Sequence, residues 1–148
     1  EEKKRVDKSD AFGNIVKKNI EWTNETGVVC KYLVYSESYH TFYEVRETLL
    51  NNSISSCVIK GSIGAISNNI SKYRENSNEL QALMVNSKYA ASGMNLENTT
   101  DVVIWHTMSK AKITQIIGRA QRPGRTIPLR VHFLAHPNEL KDFEEYSN

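Results

Sequence analysis

The stretch Val28-Val29-Cys30-Lys31-Tyr32-Leu33-Val34-Tyr35-Ser36 decides the fold. Its apolar residues fall on both alternating faces, as in a strand buried on both sides of a parallel sheet; a strand with one wet face would alternate cleanly. A parallel strand needs a crossover, and the next residues supply one. Ser36 is placed to cap a helix carrying Tyr43, Val45, Leu49 and Leu50 at helical spacing. The cycle then repeats downstream. Ile54 to Lys60 reads as a second strand, Gly61-Ser62 as a turn, and Ala65 to Arg74 as a helix with Ile66, Ile70 and Tyr73 on one side. Leu80 to Val85 is a third strand, Asp101 to Trp105 a fourth, Ala111 to Arg122 a helix, and Leu129 to Leu134 a fifth strand. A last helix, from about Pro137, uses Leu140 and Phe143. Upstream, Phe12, Ile15, Val16, Ile20 and Trp22 make one amphipathic helix inside the polar residues 1–26. This alternation predicts an α/β fold of three layers, a mainly parallel sheet with helices on both faces. Residues 1–26 are expected to be a lead-in helix or linker and residues 27–148 the domain itself. In such sheets ligands gather at the carboxyl ends of the strands, so the loops after Tyr35, Lys60, Val85 and Trp105 carry the function.

Composition bounds the class. A chain of 148 residues with 39% hydrophobic and 24% charged residues fits one folded, soluble module rather than a disordered or low-complexity chain. No run approaches the roughly 18 to 20 apolar residues of a membrane span, and no apolar stretch follows the charged N-terminus to make a signal peptide. The expected setting is the inside of a cell, with no membrane partner. Cys30 and Cys57 lie in apolar runs and read as reduced core residues. With 19 Lys+Arg against 17 Asp+Glu the net charge is +2, which by itself implies no nucleic-acid partner, so the location of the basic residues matters more than their sum.

Two segments carry chemistry. The first, Asn86-Ser87-Lys88-Tyr89-Ala90-Ala91-Ser92-Gly93-Met94-Asn95-Leu96, follows the third strand. Polar residues, small residues and a glycine at the mouth of a parallel strand let a polyanion or nucleotide approach the backbone. An ordinary tight crossover explains the same composition. The second is Gln115-Ile116-Ile117-Gly118-Arg119-Ala120-Gln121-Arg122-Pro123-Gly124-Arg125. Gln115, Arg119 and Arg122 stand at i, i+4 and i+7 and form one polar stripe, while Ile113, Ile116, Ile117 and Ala120 turn toward the sheet. Two arginines so spaced make a fork for an anion. Gly118 in mid-helix costs about 1 kcal/mol against alanine, which implies a close approach to that face. A solvated basic face accounts for the arginines but not for the glycine or the glutamine.

The second segment resembles the Q-x-x-G-R-x-x-R motif, motif VI, of superfamily 2 helicases, and the first, about 20 residues upstream, resembles their motif V. Asn86 to Leu96 looks most like the Swi/Snf-type translocases and the helicase-like ATPases of large DNA viruses, and Gly61-Ser62 fits that group's G-S signature. The likeness runs from about Val28 to Asn138, the second RecA-like domain of such a motor, with motifs IV to VI. Ile63 to Asn69 lacks the arginine that Swi/Snf relatives usually carry there.

The resemblance implies an ATP-dependent helicase or translocase, with ATP and Mg2+ in a cleft against an N-terminal RecA-like lobe that supplies the phosphate loop and metal ligands. No G-x-x-x-x-G-K-[ST] occurs in this chain, so alone it is expected to be inactive. Arg122 matches the arginine finger and Arg119 its neighbour on the γ-phosphate, roles suited to a planar, always charged fork. Gln115, Gly93 and Asn95 match positions at the nucleotide, Asn95 standing where DEAD-box relatives place an aspartate. Ser87, Lys88, Gly61 and Ser62 match positions that hold nucleic-acid phosphates without reading bases, and Ser36 is a further contact at the end of the first strand. DNA is favoured over RNA as the track. The competing reading is a catalytically silent lobe that docks nucleic acid or protein. His132 and His136, four apart in a strand context, read as structural rather than as metal ligands, and Trp105 as core rather than as a base-stacking platform.

Overall fold

The computed structural model of the protein describes residues 8–36, 39–60, 62–75, 79–86, 96–105, 110–121 and 128–134. Helix α1 spans Lys8–Thr26, β1 Tyr32–Ser36, α2 Tyr39–Asn51, β2 Ser56–Val58, α3 Ile63–Arg74, β3 Ala82–Asn86, β4 Asp101–Ile104, α4 Lys110–Ala120 and β5 Arg130–Phe133. The five strands form one sheet in the order β2-β3-β1-β4-β5, every neighbouring pair parallel. The expected α/β fold with a parallel sheet is therefore the observed one.

The sheet separates two apolar layers. On one face Leu33, Tyr35, Leu83, Val85, Val102 and Ile104 pack with Tyr73 of α3 and with Ile113, Ile116 and Ala120 of α4. On the other, Tyr32, Val34, Met84 and Val103 pack with Phe12 and Val16 of α1 and with Phe42, Val45 and Leu49 of α2. Successive residues of the central strands thus enter opposite layers, which is why the sequence shows no clean alternation there. Trp105 is buried and meets Phe12 edge-on with ring centroids 5.8 Å apart, so it is core.

Helix ends follow local chemistry. Gly27, at φ 77°, ends α1 and its N–H donates to the Thr23 carbonyl at 2.7 Å. Ser53, at φ 59°, ends α2: its N–H donates to Leu50, and the N–H of the buried Ile54 donates to Leu49, which together satisfy two orphan carbonyls.

Three expectations are adjusted. The first strand begins at Tyr32 rather than Val28, because the chain leaving Gly27 needs residues 28–31 to reach the sheet, where the Lys31 carbonyl accepts from Thr100 and Asp101. Ser36 does not cap α2: it is the buried last residue of β1, paired with Asn86, and the helix starts at Tyr39. Cys30 is buried as expected, but Cys57 is only half-buried because β2 is an edge strand; both are free, and burial pushes the Cys57 thiol up to about 11. No helix among the described residues is long and apolar enough to cross a membrane.

Candidate functional site

Because all five strands are parallel, their carboxyl ends share one edge, and the loops singled out by sequence leave from it. Ser36 of β1 and Asn86 of β3 are register partners there, both buried. Ile59, following β2, donates its N–H to the Met84 carbonyl at 2.9 Å, and the exposed Lys60 and Ser62 come next. Ser62 is the N-cap of α3: its hydroxyl accepts the Ala65 N–H at 3.2 Å, in extended backbone (φ −71°, ψ 159°), while its own side chain stays open to solvent. Ser62 thus marks the start of a helix at the carboxyl edge of the sheet.

Helix α4 follows β4. Ile113, Ile116 and Ala120 are buried and Ile117 packs beside them, whereas Thr114, Gln115 and Gly118 are exposed. Gln115 therefore stands on the outer face, as its spacing predicted. Among the described residues, nothing lies within 4 Å of a Cβ placed on Gly118, so no contact among them accounts for the glycine. Arg119 lies on the same helix. Of the other residues singled out from sequence, Gly61, Ser87, Lys88, Gly93, Asn95 and Arg122 lie outside the described residues, as does His136.

The opposite edge holds a charged cluster that sequence reasoning missed. Asp101, the fully buried first residue of β4, accepts from Thr100 Oγ1 at 2.7 Å, from the Arg130 guanidinium at 2.9 Å and from His132 Nε2 at 2.7 Å. Arg130 and His132 are the first and third residues of β5, so they point to the same side of the strand, and the β4–β5 register sets Asp101 opposite Arg130. Burial by itself would push the Asp101 carboxyl up; His132, Thr100, Arg130 and Asn19 outweigh it and hold the carboxyl below the ordinary range. The Arg130 guanidinium also lies over the Trp22 ring, 4.9 Å from its centroid. The partner of His132 is Asp101 on the neighbouring strand, not His136 four residues along the chain. Among the described residues no group of three or more His, Cys, Asp or Glu side chains could hold a metal ion. Through these contacts Asp101 and its partners fasten the edge strand β5 to β4 and to α1.

Comparison with known proteins supplies the family. Residues 12–124 match the family described as the helicase conserved C-terminal domain. A protein of Acanthamoeba polyphaga mimivirus named as a helicase is 32% identical over 112 residues, which are 76% of this chain and 13% of the relative. The chain thus spans a small part of that relative's length. Three solved structures share the fold. The C-terminal part of the Fun30 ATPase domain has a TM-score of 0.76 at 19% identity, over 93% of this chain and 44% of that one. The S. cerevisiae Dbp5 C-terminal domain has a TM-score of 0.69 at 15% identity, over 95% of this chain and 78% of that one. The Pyrococcus furiosus Hef helicase domain has a TM-score of 0.67 at 18% identity, over 94% of this chain and 27% of that one.

Proposed function

The chain belongs to the helicase conserved C-terminal domain family, and from that premise we propose that it is the second RecA-like lobe of an ATP-dependent superfamily 2 helicase or translocase. The observation that carries the reading is the outer face of α4. One side of this helix is buried against the sheet, while the other presents Gln115 and an exposed Gly118 whose Cβ position no described residue comes within 4 Å of. A glycine kept at a helical cost of about 1 kcal/mol, on a face open to solvent, fits a surface that another body comes close to. In this reading that body is an N-terminal RecA-like lobe with Mg2+ and ATP between the two.

Gln115, Gly93 and Asn95 then line the nucleotide edge of the cleft. Arg119 and Arg122 would supply guanidinium charge to the γ-phosphate of a bound nucleotide, where fixed positive charge counts most as negative charge develops on a transferring group. Bound Mg2+–ATP supplies the phosphoanhydride whose cleavage powers the motor. Ser87, Lys88, Gly61 and Ser62 form the track, holding phosphates of a nucleic-acid strand, DNA in preference to RNA, without reading its bases. The exposed hydroxyl of Ser62 at the carboxyl edge of the sheet supports that part.

The test is Arg122→Ala in the full-length parent. If Arg122 acts mainly in the transition state, turnover at saturating ATP and nucleic acid falls by roughly 10³ to 10⁵ while ATP binding suffers less. Near-parental turnover would remove the finger and favour a silent docking lobe.

A further inference from the structure

Lys8, the first residue of α1, is buried although its side chain carries a charge. Its Nζ donates to the Trp105 carbonyl at 2.6 Å, a contact between residues 97 apart in the chain. Lysine ordinarily keeps its ammonium in water and buries only its stem, so an ammonium drawn to the end of a strand marks a contact that apolar packing does not supply. Packing has its own residues here: Phe12 and Val16, about one and two turns along the helix, are buried in the same apolar layer as Trp105.

Trp105 is where the chain leaves β4 for α4. Its N–H donates to the Tyr35 carbonyl of β1 at 3.0 Å, its ring meets Phe12 edge-on, and its carbonyl accepts from Lys8. From there the chain changes layer. Trp105 packs on the α1 side of the sheet, whereas Ile113, Ile116 and Ala120 of α4 pack on the other. Residues 106–109 join the two, and among the described residues Ala111 is exposed and Ile113 is the first buried residue of the helix. Trp105 before the helix and Ile113 within it are thus the fixed points nearest the start of α4 among the described residues. Gln115 stands two residues beyond Ile113 and Arg119 six beyond. A hydrogen bond from a charged donor is roughly twice as strong as a neutral one, so Lys8 holds the direction in which the chain leaves Trp105 firmly.

We propose that Lys8 is a positioning residue for the outer face of α4: through the Trp105 carbonyl it sets where the helix begins, and so where Gln115 and Arg119 stand. This role rests on the helicase-lobe reading above and adds to it a residue that lies ahead of the matched stretch 12–124. Displacing catalytic groups by about 1 Å lowers turnover by up to about 10²-fold while the fold survives. The loss of such a residue therefore appears in kcat, beyond what any loss of stability brings.

The test compares Lys8→Met, Val16→Ala and Arg122→Ala in the full-length parent at saturating ATP, with oligo-dT and oligo-rU in turn, at a temperature where melting curves show every variant folded. Lys8→Met keeps the apolar stem and removes the ammonium; Lys8→Ser, too short to reach the carbonyl, replaces it if the methionine variant does not fold. Either is expected to lower kcat about three- to tenfold at parental affinity for the oligonucleotide. Val16→Ala removes packing from the same helix and keeps the Lys8 contact, so it should lower the melting temperature and leave kcat parental. Parental kcat of the Lys8 variant beside a lowered kcat of Arg122→Ala overturns the positioning role and leaves the lobe reading standing. Parental kcat of both overturns the two together. An equal fall in kcat for the Lys8 variant and Val16→Ala also overturns the role, because α1 would then act through stability alone.

Discussion

At the scale of single residues, Asp101 gathers two ion-pair partners, Arg130 and His132, among the described residues. Its carboxylate has no solvent access and is satisfied by donors from Thr100, Arg130 and His132. Asp101→Asn leaves Arg130 without its counter-charge in a partly buried position and is expected to lower stability by about 2 to 4 kcal/mol, read by urea unfolding. Since the folded chain holds this carboxyl below its ordinary value, the unfolded chain binds the proton more readily. The stabilisation is therefore complete above about pH 5, shrinks as pH falls past the unfolded value of ~3.9, and is gone below the folded value. Parent and Asp101→Asn should converge in stability over that acid range and stay apart at pH 7; a constant gap would separate Asp101 from the acid response. Gly118 makes the opposite kind of test. No described residue lies within 4 Å of its missing Cβ, so Gly118→Ala should raise the stability of this domain by about 0.5 to 1 kcal/mol. The same change should lower turnover of the full-length parent several-fold if another lobe closes on that face. A stabilised domain with unchanged turnover would show the face to be free in the working motor.

At the scale of elements α1 is the informative case. It runs from the carboxyl edge of the sheet, where Lys8 Nζ donates to the Trp105 carbonyl at 2.6 Å, to the other edge, where Asn19 donates to the Tyr32 hydroxyl at 3.1 Å. Between these points Phe12 and Val16 are buried against β1 and Trp105. Phe12→Ala is expected to cost about 3 to 5 kcal/mol, visible as a lower urea midpoint at an unchanged slope, and deleting residues 8–26 should expose Tyr32, Val34 and Trp105 and leave the remainder aggregation-prone. Its helical spacing made α1 legible in sequence, because burial of one stripe is a local pattern. The interiors of the five strands were legible for the same reason, each being a short apolar run between turn signals. Their ends were not: β1 starts four residues late because Gly27 and the Lys31 carbonyl, not apolar content, set where the chain enters the sheet. Ser36 is ambiguous in sequence, because a serine before a helix has the same local look whether it caps the helix or, as here, ends the strand before it.

At the scale of the whole molecule, the parallel sheet gathers the loops after β1, β2, β3 and β4 on one edge and leaves the Asp101 cluster on the other, so the proposed site and the fastening are separated by the height of the sheet. The outward face of α4 was legible in sequence as a periodicity, and Gln115 stands where that periodicity put it. The pairing of Asp101 with Arg130 and His132 was not, because it depends on strand register across 29 and 31 residues of chain. A phosphate loop grips the β-phosphate through consecutive backbone N–H groups of a glycine-rich turn and a lysine, and the sequence has no such segment in its 148 residues. Arginines on one helix face can stabilise a transition state that another lobe assembles, but they cannot position a nucleotide, a metal ion and an attacking water unaided. The 148-residue chain alone should therefore fold cooperatively and release no phosphate from ATP above a buffer control, with or without nucleic acid, while the full-length parent turns over. Adding the parent's preceding segment as a separate polypeptide should restore part of that turnover if the two lobes meet across the open face of α4, and Gly118→Ala in this chain should diminish the restored rate. Turnover by the isolated chain that survives repurification and persists in Arg122→Ala would locate the chemistry elsewhere in this domain and overturn the two-lobe reading.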